Sequence, residues 1–224
     1  MFIEYYQDQL IHFCIRPIQK MIFPAEAIHD IICSRNSFSQ KGRTMNTETD
    51  KELIIRKSGP EELEDLVAFY RRIIDQLHKR NSVVKWSMEV YPTRQDIASA
   101  LKAGEMHAGT LEGRIVCAFR LGGNDETYDR FDWPTAVPPG EVSVIHLLAV
   151  DDDFAGRGFA ARLVAYSADL CRKAGKKVIR LDVLKGNTPA EKLYLKCGFS
   201  FVTEQKIFYE DTGLMDFRMF ELVL

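Results

Sequence analysis

The chain has 224 residues, enough for one α/β domain with a buried core plus an appendage and too few for two full domains. Hydrophobic residues at 46% and charged residues at 28% exclude a disordered or fibrous chain. Lys and Arg total 30 against 32 Asp and Glu, and the formal charge of -2 leaves no global field to draw the protein onto nucleic acid or an anionic membrane.

Cys14, Cys33, Cys117, Cys171 and Cys197 are odd in number and stand neither as CxxC nor at ligand spacing with histidine. That pattern predicts no disulfide framework, no metal site and a reducing, cytoplasmic setting. No apolar run is long enough to span a bilayer, and no basic segment precedes an apolar one near Met1, so no membrane association is expected.

Residues 1–44 carry apolar and aromatic side chains without a period and end in a polar stretch at 37–43. They read as an N-terminal appendage or as a non-native leader, because Met45 opens a polar segment directly before a strand-like run. The domain is placed at 45–224. Residues 53–57 form the first expected strand, followed by Ser58-Gly59-Pro60-Glu61 as a capping box with proline in the first turn. Leu63, Leu66, Val67, Tyr70, Ile73, Ile74 and Leu77 then recur at three and four, the stripe of an amphipathic helix. After an aromatic loop at 86–92, a second helix is expected over 93–103, capped at Thr93-Arg94-Gln95-Asp96 and stopped by Gly104.

Strands at 106–111 and 114–121 join at Glu112-Gly113, a hairpin signature. A long loop, 122–140, carries Asp125, Glu126, Asp129 and Asp132. The strand at 141–150 is too apolar for a sheet edge and is expected at the centre. A helix to Ala174, a strand at 178–184, a short helix after Asn187 and a closing hairpin around Asp211-Thr212-Gly213 complete the chain. Strand, glycine turn, helix and strand in this order make a crossover with parallel neighbours.

The glycine turn is the strongest chemical signal. In Gly156-Arg157-Gly158-Phe159-Ala160, two glycines permit a tight turn, so the amides of these five residues can converge at a helix N-terminus, where a pyrophosphate fits and Arg157 adds a charge. No Gly-Lys-Ser/Thr follows and a third spaced glycine is missing, so Walker and dinucleotide-fold readings lose ground. A plain tight helix packing, or a nucleotide-binding α/β protein, remains an alternative for the loop alone. The second element is 187–199, with Thr188 to Glu191 as a capping box, proline at the first helical position, Gly198 as the stop, and Tyr194 on the face of Ala190.

Ala149-Val150 … Gly156-Arg157-Gly158-Phe159-Ala160, followed by Asn187 … Ala190 … Leu193-Tyr194 … Gly198-Phe199, resembles the GCN5-related N-acetyltransferase (GNAT) superfamily over residues 53–224. The resemblance implies a mixed, V-shaped central sheet with splayed strands flanked by helices, with acetyl-CoA as co-substrate. It implies that the backbone of Leu148, Ala149 and Val150 binds the pantetheine arm, that an amide near Leu148 polarises the thioester carbonyl, and that Asn187 contacts the cofactor or holds its loop. The family's loop opens with Arg or Gln three residues before the first glycine. Here that residue is Asp153, a carboxylate near the phosphates.

Transfer to an amine needs a base to take a proton from an ammonium of pKa about 10 and an acid for a leaving thiolate whose thiol has a pKa of about 8.5. Tyr194 matches the family's acid. His146 is the base candidate, two residues before Leu148 and expected on its face, with an ordinary pKa of about 6.5 suited to proton acceptance. Some family members carry histidine at this place, whereas others use a glutamate at the position of Val144; Glu141 is a weaker candidate on parity. Packing is the alternative role for both Tyr194 and His146, whereas Cys171 and Cys197 read as packing residues. Trp86, Tyr91 and the acidic loop 125–132 are candidates for the acceptor pocket.

The expected activity is direct acetyl transfer to a small-molecule or peptide amine through a ternary complex. A homodimer is one assembly the sequence allows. A non-catalytic acyl-CoA-binding or sensing module, for which Asp153 is the hint, is the alternative.

Overall fold

The computed structural model describes residues 52–224; the appendage at 1–44 and the boundary at Met45 lie outside them. Seven strands form one sheet in the order β1-β2-β3-β4-β5-β7-β6. They are β1 (Ile54–Lys57), β2 (Met106–Leu111), β3 (Arg114–Gly122), β4 (Val142–Val150), β5 (Val178–Leu184), β6 (Ser200–Tyr209) and β7 (Gly213–Val223). The helices are α1 (Leu63–Lys79), α2 (Arg94–Ala103), α3 (Phe159–Lys173) and α4 (Thr188–Lys196). Among the described residues only β4 and β5 pair in parallel, across the crossover through α3; β4 is the central strand, as its apolar run predicts.

Local chemistry sets most element ends. At α2 the Thr93 hydroxyl accepts from the Asp96 amide (3.1 Å), while the Asp96 carboxylate accepts from the Thr93 amide (2.8 Å); Gly104 closes the helix at φ 70°. At α1 the expected cap shifts by one residue. The Ser58 amide is taken by the Met106 carbonyl (2.9 Å), prolonging the sheet edge, so Glu62 rather than Glu61 reaches back, to the Gly59 amide (3.1 Å). In the β2–β3 hairpin, Glu112 (φ 49°) and Gly113 (φ 79°) both adopt the left-handed conformation that a two-residue turn requires.

Three apolar clusters position the site. α3 and α4 cover one face, where Leu163, Val164 and Tyr194 pack with Ile145, Leu181 and Phe220. On the other face α1 and α2 cover β2–β4 through Leu66, Tyr70 and Ile97. Beyond them the 122–141 loop takes over, with Tyr128 packed among Val142, Val144, Phe217 and Met219 and flanked by Phe131 and Trp133. A buried ion pair fastens this loop to the sheet. Arg180 on β5 binds Glu221 on β7 (3.0 Å), donates to the Thr135 carbonyl (2.9 Å) and stacks 4.4 Å from the Trp133 ring.

Candidate active site

The parallel pairing of β4 and β5 is brief: Val142 with Val178, Ser143 with Ile179 and Val144 with Arg180. Beyond that point β4 continues only against β3 and β5 only against β7, so the sheet opens as a V. The β5-facing backbone of residues 147–150 has lost its strand partner. Main-chain polar groups require one, and an extended, amide-bearing ligand can supply it.

A bulge shapes β4 inside this opening. Arg120 pairs with His146 and Ala118 with Ala149, leaving Leu147 and Leu148 opposite Phe119 alone. Leu147 has φ 55°, an uncommon conformation for a branched side chain, and the Tyr70 hydroxyl of α1 donates to its carbonyl (2.9 Å). The bulge corrects the expected parity. Side chains alternate up to His146, but the extra residue then sends Leu148 and Val150 to the α3 face, whereas His146 shares the opposite face with Val144 and Arg120. Val144 itself is fully buried.

After β4 the chain enters the glycine turn. Gly156 (φ 76°) and Gly158 (φ 78°) are left-handed, and a Cβ added to either would meet nothing within 4 Å. Their absence of side chain therefore serves the backbone turn and leaves open space above it. Among the described residues, the amides of Gly156, Arg157, Gly158, Phe159 and Ala160 donate to no group, so the tip of α3 presents unspent donors. Arg157 lies over Phe154 (5.5 Å) and Phe159 (5.0 Å), with no carboxylate partner among the described residues. If this turn holds the pyrophosphate of acetyl-CoA, as the resemblance implies, Gly156→Ala should weaken its binding about tenfold, since a left-handed alanine costs roughly 1–2 kcal/mol; calorimetric titration measures it, and unchanged affinity would exclude the turn from the binding site.

The acidic run before this turn is neutralised. Asp151 is fully buried and accepts from Arg114 (2.7 Å) and Gln76 (2.9 Å). Burial pushes its carboxyl up, but Gln76, the Asp153 amide and Arg114 outweigh that and hold it below the usual carboxylate value. Asp152 pairs with Arg80, and Asp153 lies 3.7 Å from Arg114. The carboxylate of Asp153, three residues before Gly156, is thus met by an arginine of β3.

Tyr194 stands on α4, in the apolar cluster on the α3–α4 face of the sheet. Its side chain is buried against Phe199 and Phe220, yet among the described residues its hydroxyl has no hydrogen-bond partner. Burial pushes the phenol up, and Asp182 adds to the rise, so it stays protonated. Asn187 caps α4 through its backbone, its amide donating to the Leu184 carbonyl (3.0 Å) and its carbonyl accepting from Glu191 (3.1 Å). The expected capping box at 188–191 does not form, because Arg218 of β7 draws the Glu191 carboxylate away; Pro189 is the second helical residue rather than the first.

On the other face, His146 Nε2 stands 3.5 Å from Asp125 Oδ2. Burial pulls the imidazole pKa below its ordinary value, against the opposing pull of Asp182 and Asp125, which keeps the ring neutral near pH 7. Of the expected acceptor pocket, Tyr91 and Asp125 come within electrostatic reach of one carboxylate, Asp182. Glu126, Asp129 and Asp132 are exposed, and Trp86 packs edge-on to Tyr70 at 6.3 Å. Sequence reasoning missed Asp182. Its signal was a pair of charges, Arg180 and Asp182, at period two inside an otherwise apolar strand.

Residues 71–199 match the Acetyltransferase (GNAT) family. An uncharacterized N-acetyltransferase of Methanocaldococcus jannaschii is 32% identical over 68 residues, a match that spans 30% of this chain and 30% of that relative's length. Among solved structures, a GNAT acetyltransferase from Listeria monocytogenes superposes with TM-score 0.62 at 17% identity, over 80% of this chain and 98% of that one. A ribosomal-protein-alanine N-acetyltransferase from Brucella melitensis gives 0.60 at 18%, over 77% and 100%. The yncA protein of Salmonella typhimurium, solved with its cofactor acetyl-CoA, gives 0.58 at 16%, over 77% and 94%. At these identities the structures establish a common fold, the open mixed sheet flanked by helices. Among the described residues no helix is long and apolar enough to cross a membrane, and no group of three or more His, Cys, Asp or Glu could hold a metal ion.

Proposed function

This chain belongs to the GNAT family of acetyltransferases, and from that we propose that it moves an acetyl group from acetyl-CoA directly to an amine in a ternary complex. The observation that carries this reading is the parting of β4 and β5 after three pairs, next to a helix tip with five unspent amides. Those features fit the co-substrate. The amides of 156–160 and Arg157 would hold the pyrophosphate, the backbone of Leu148, Ala149 and Val150 the pantetheine, with Asn187 beside it, and an amide near Leu148 would polarise the carbonyl. When bound, acetyl-CoA supplies an acyl carbon activated as a thioester.

The chain's own residues supply the proton transfers. Neutral His146 accepts a proton from the incoming ammonium on one face, and the Tyr194 hydroxyl donates to the departing sulfur from the other. Direct transfer is favoured over an acyl-enzyme because burial disfavours each described thiolate: Cys117 is pushed up to about 12, and Cys171 and Cys197 are also raised.

Thiol release from acetyl-CoA across a panel of amines, amino acids and peptides tests the activity; no release with any of them would end the reading. The His146 role has its own test. In the wild type, kcat/KM should climb with pH through a value below the ordinary imidazole pKa of about 6.5 and then flatten, because the lowered pKa leaves the basic form populated into mild acid. In His146→Ala that acid limb should vanish and the rate at pH 7.5 fall about a hundredfold. An unaltered limb would remove His146 as the base.

A further inference from the structure

The last β4–β5 pair is Val144 with Arg180. Two residues onward on each strand stand His146 and Asp182, and strand alternation puts both on the face of that pair. They are the first two side chains flanking the opening on this face. Asp182 accepts a hydrogen bond from the Tyr128 hydroxyl, and no Lys or Arg lies within ion-pair distance of it among the described residues. The titratable groups that act on it are the neutral His146 imidazole and further carboxylates, Asp125 and Asp211; Arg120, the cation on β3, is spent on Glu105 at 2.7 Å. From the α3–α4 face, the unpartnered Tyr194 hydroxyl lies within electrostatic reach of the same carboxylate. Burial pushes the Asp182 carboxyl up, with the Tyr128 hydroxyl and His146 pulling the other way, the state of a carboxylate that lacks the cation which normally accompanies a buried one. An amine approaching a thioester held between the parted strands would pass this carboxylate.

We infer that Asp182 is the docking carboxylate for the protonated acceptor amine, which makes the substrate an alkylammonium, given acetyl transfer at this cleft. Asp182 accepts a charge-assisted hydrogen bond from the ammonium. His146 then removes one N–H proton, the freed lone pair forms the bond to the acyl carbon, the carbon–sulfur bond breaks as Tyr194 protonates the sulfur, and the second proton shed by the acylated nitrogen passes through solvent to restore the Tyr194 phenol. The aromatic rings of Tyr91 and Tyr209, both within electrostatic reach of Asp182, suit the apolar chain of such an amine.

The test compares primary alkylamines, charged at pH 7.5, with alkoxyamines of the same length, which are uncharged there. With acetyl-CoA saturating, Asp182→Asn should lower kcat/KM for the alkylamines tenfold to about a hundredfold, chiefly through KM, and leave the alkoxyamines nearly unchanged. Equal losses for both series would reduce Asp182 to a structural partner of Tyr128 and overturn the inference while leaving acetyl transfer intact. Absence of thiol release by the wild type with every amine overturns acetyl transfer, and the inference with it. If Asp182→Asn melts early or fails to bind acetyl-CoA, Tyr128→Phe replaces it. Removing the hydroxyl that steadies the carboxylate should give the same charge-selective pattern at smaller amplitude, and a loss shared by both series would again defeat the proposal.

Discussion

Tyr194→Phe is expected to lower kcat about a hundredfold, the loss typical of a missing general acid, while acetyl-CoA binding and the melting temperature stay as they are. The ring keeps its contacts with Phe199 and Phe220, and the hydroxyl it gives up bonds to nothing among the described residues, so folding loses little. A packing role for Tyr194 predicts the opposite: turnover preserved. Burst kinetics with a saturating amine, set beside calorimetric titration of acetyl-CoA, separates the two. The loss should narrow with an acetyl thioester of a more acidic thiol, because such a leaving group departs without being protonated. Undiminished turnover in Tyr194→Phe would leave the proton donor to be sought elsewhere in the cleft.

Arg180→Met is expected to be the most destabilising single change considered. It strands the Glu221 carboxylate, which is 3% exposed, and removing one member of a buried pair costs about 3–5 kcal/mol. For a domain of this size that corresponds to a fall of roughly 6–20 °C in Tm. The double variant Arg180→Met/Glu221→Leu should regain most of the loss, since an apolar pair of similar volume substitutes well for a buried salt bridge. Recovery of activity should lag behind. The 122–141 loop would still lack the donor to Thr135 and the cation over Trp133, so the acceptor KM stays raised although the fold is restored. A thermal melt and acceptor kinetics on both variants check the two halves; a single variant as stable as the wild type would mean that Glu221 is relieved by water or protonation.

Features governed by neighbours in sequence were legible before any coordinates. Thr93 and Asp96 are three apart, Gly104 ends its helix, and Glu112-Gly113 folds its hairpin, all through backbone dihedrals and short-range hydrogen bonds. The glycine turn belongs to the same class, and so does the central placing of β4. What escaped was governed at long range. The bulge at Leu147 is set by the register of β3 and by a hydroxyl 77 residues away, so nothing local announced that His146 and Leu148 would part to opposite faces. The cap of α1 moved because a carbonyl of β2 claimed the Ser58 amide. Asp182 gained meaning only when the ends of two parting strands were known. Glu126, Asp129 and Asp132 are as acidic in sequence but exposed in the loop, a difference that no local pattern announces.

The Arg180–Glu221 clasp sits at the residue pair where the sheet divides, and it belongs wholly to the β5–β7 limb and the loop laid over it. The α3 tip is supported separately, by β4, the turn after it, Arg72 of α1, Arg80 just beyond that helix and Arg114 of β3. On the proposed function, choice of acceptor and hold on the donor would be written in different stretches of the chain. Recoding residues 123–139 and the β6–β7 turn, with the clasp left in place, is a route to new amine preferences that keeps the donor half intact.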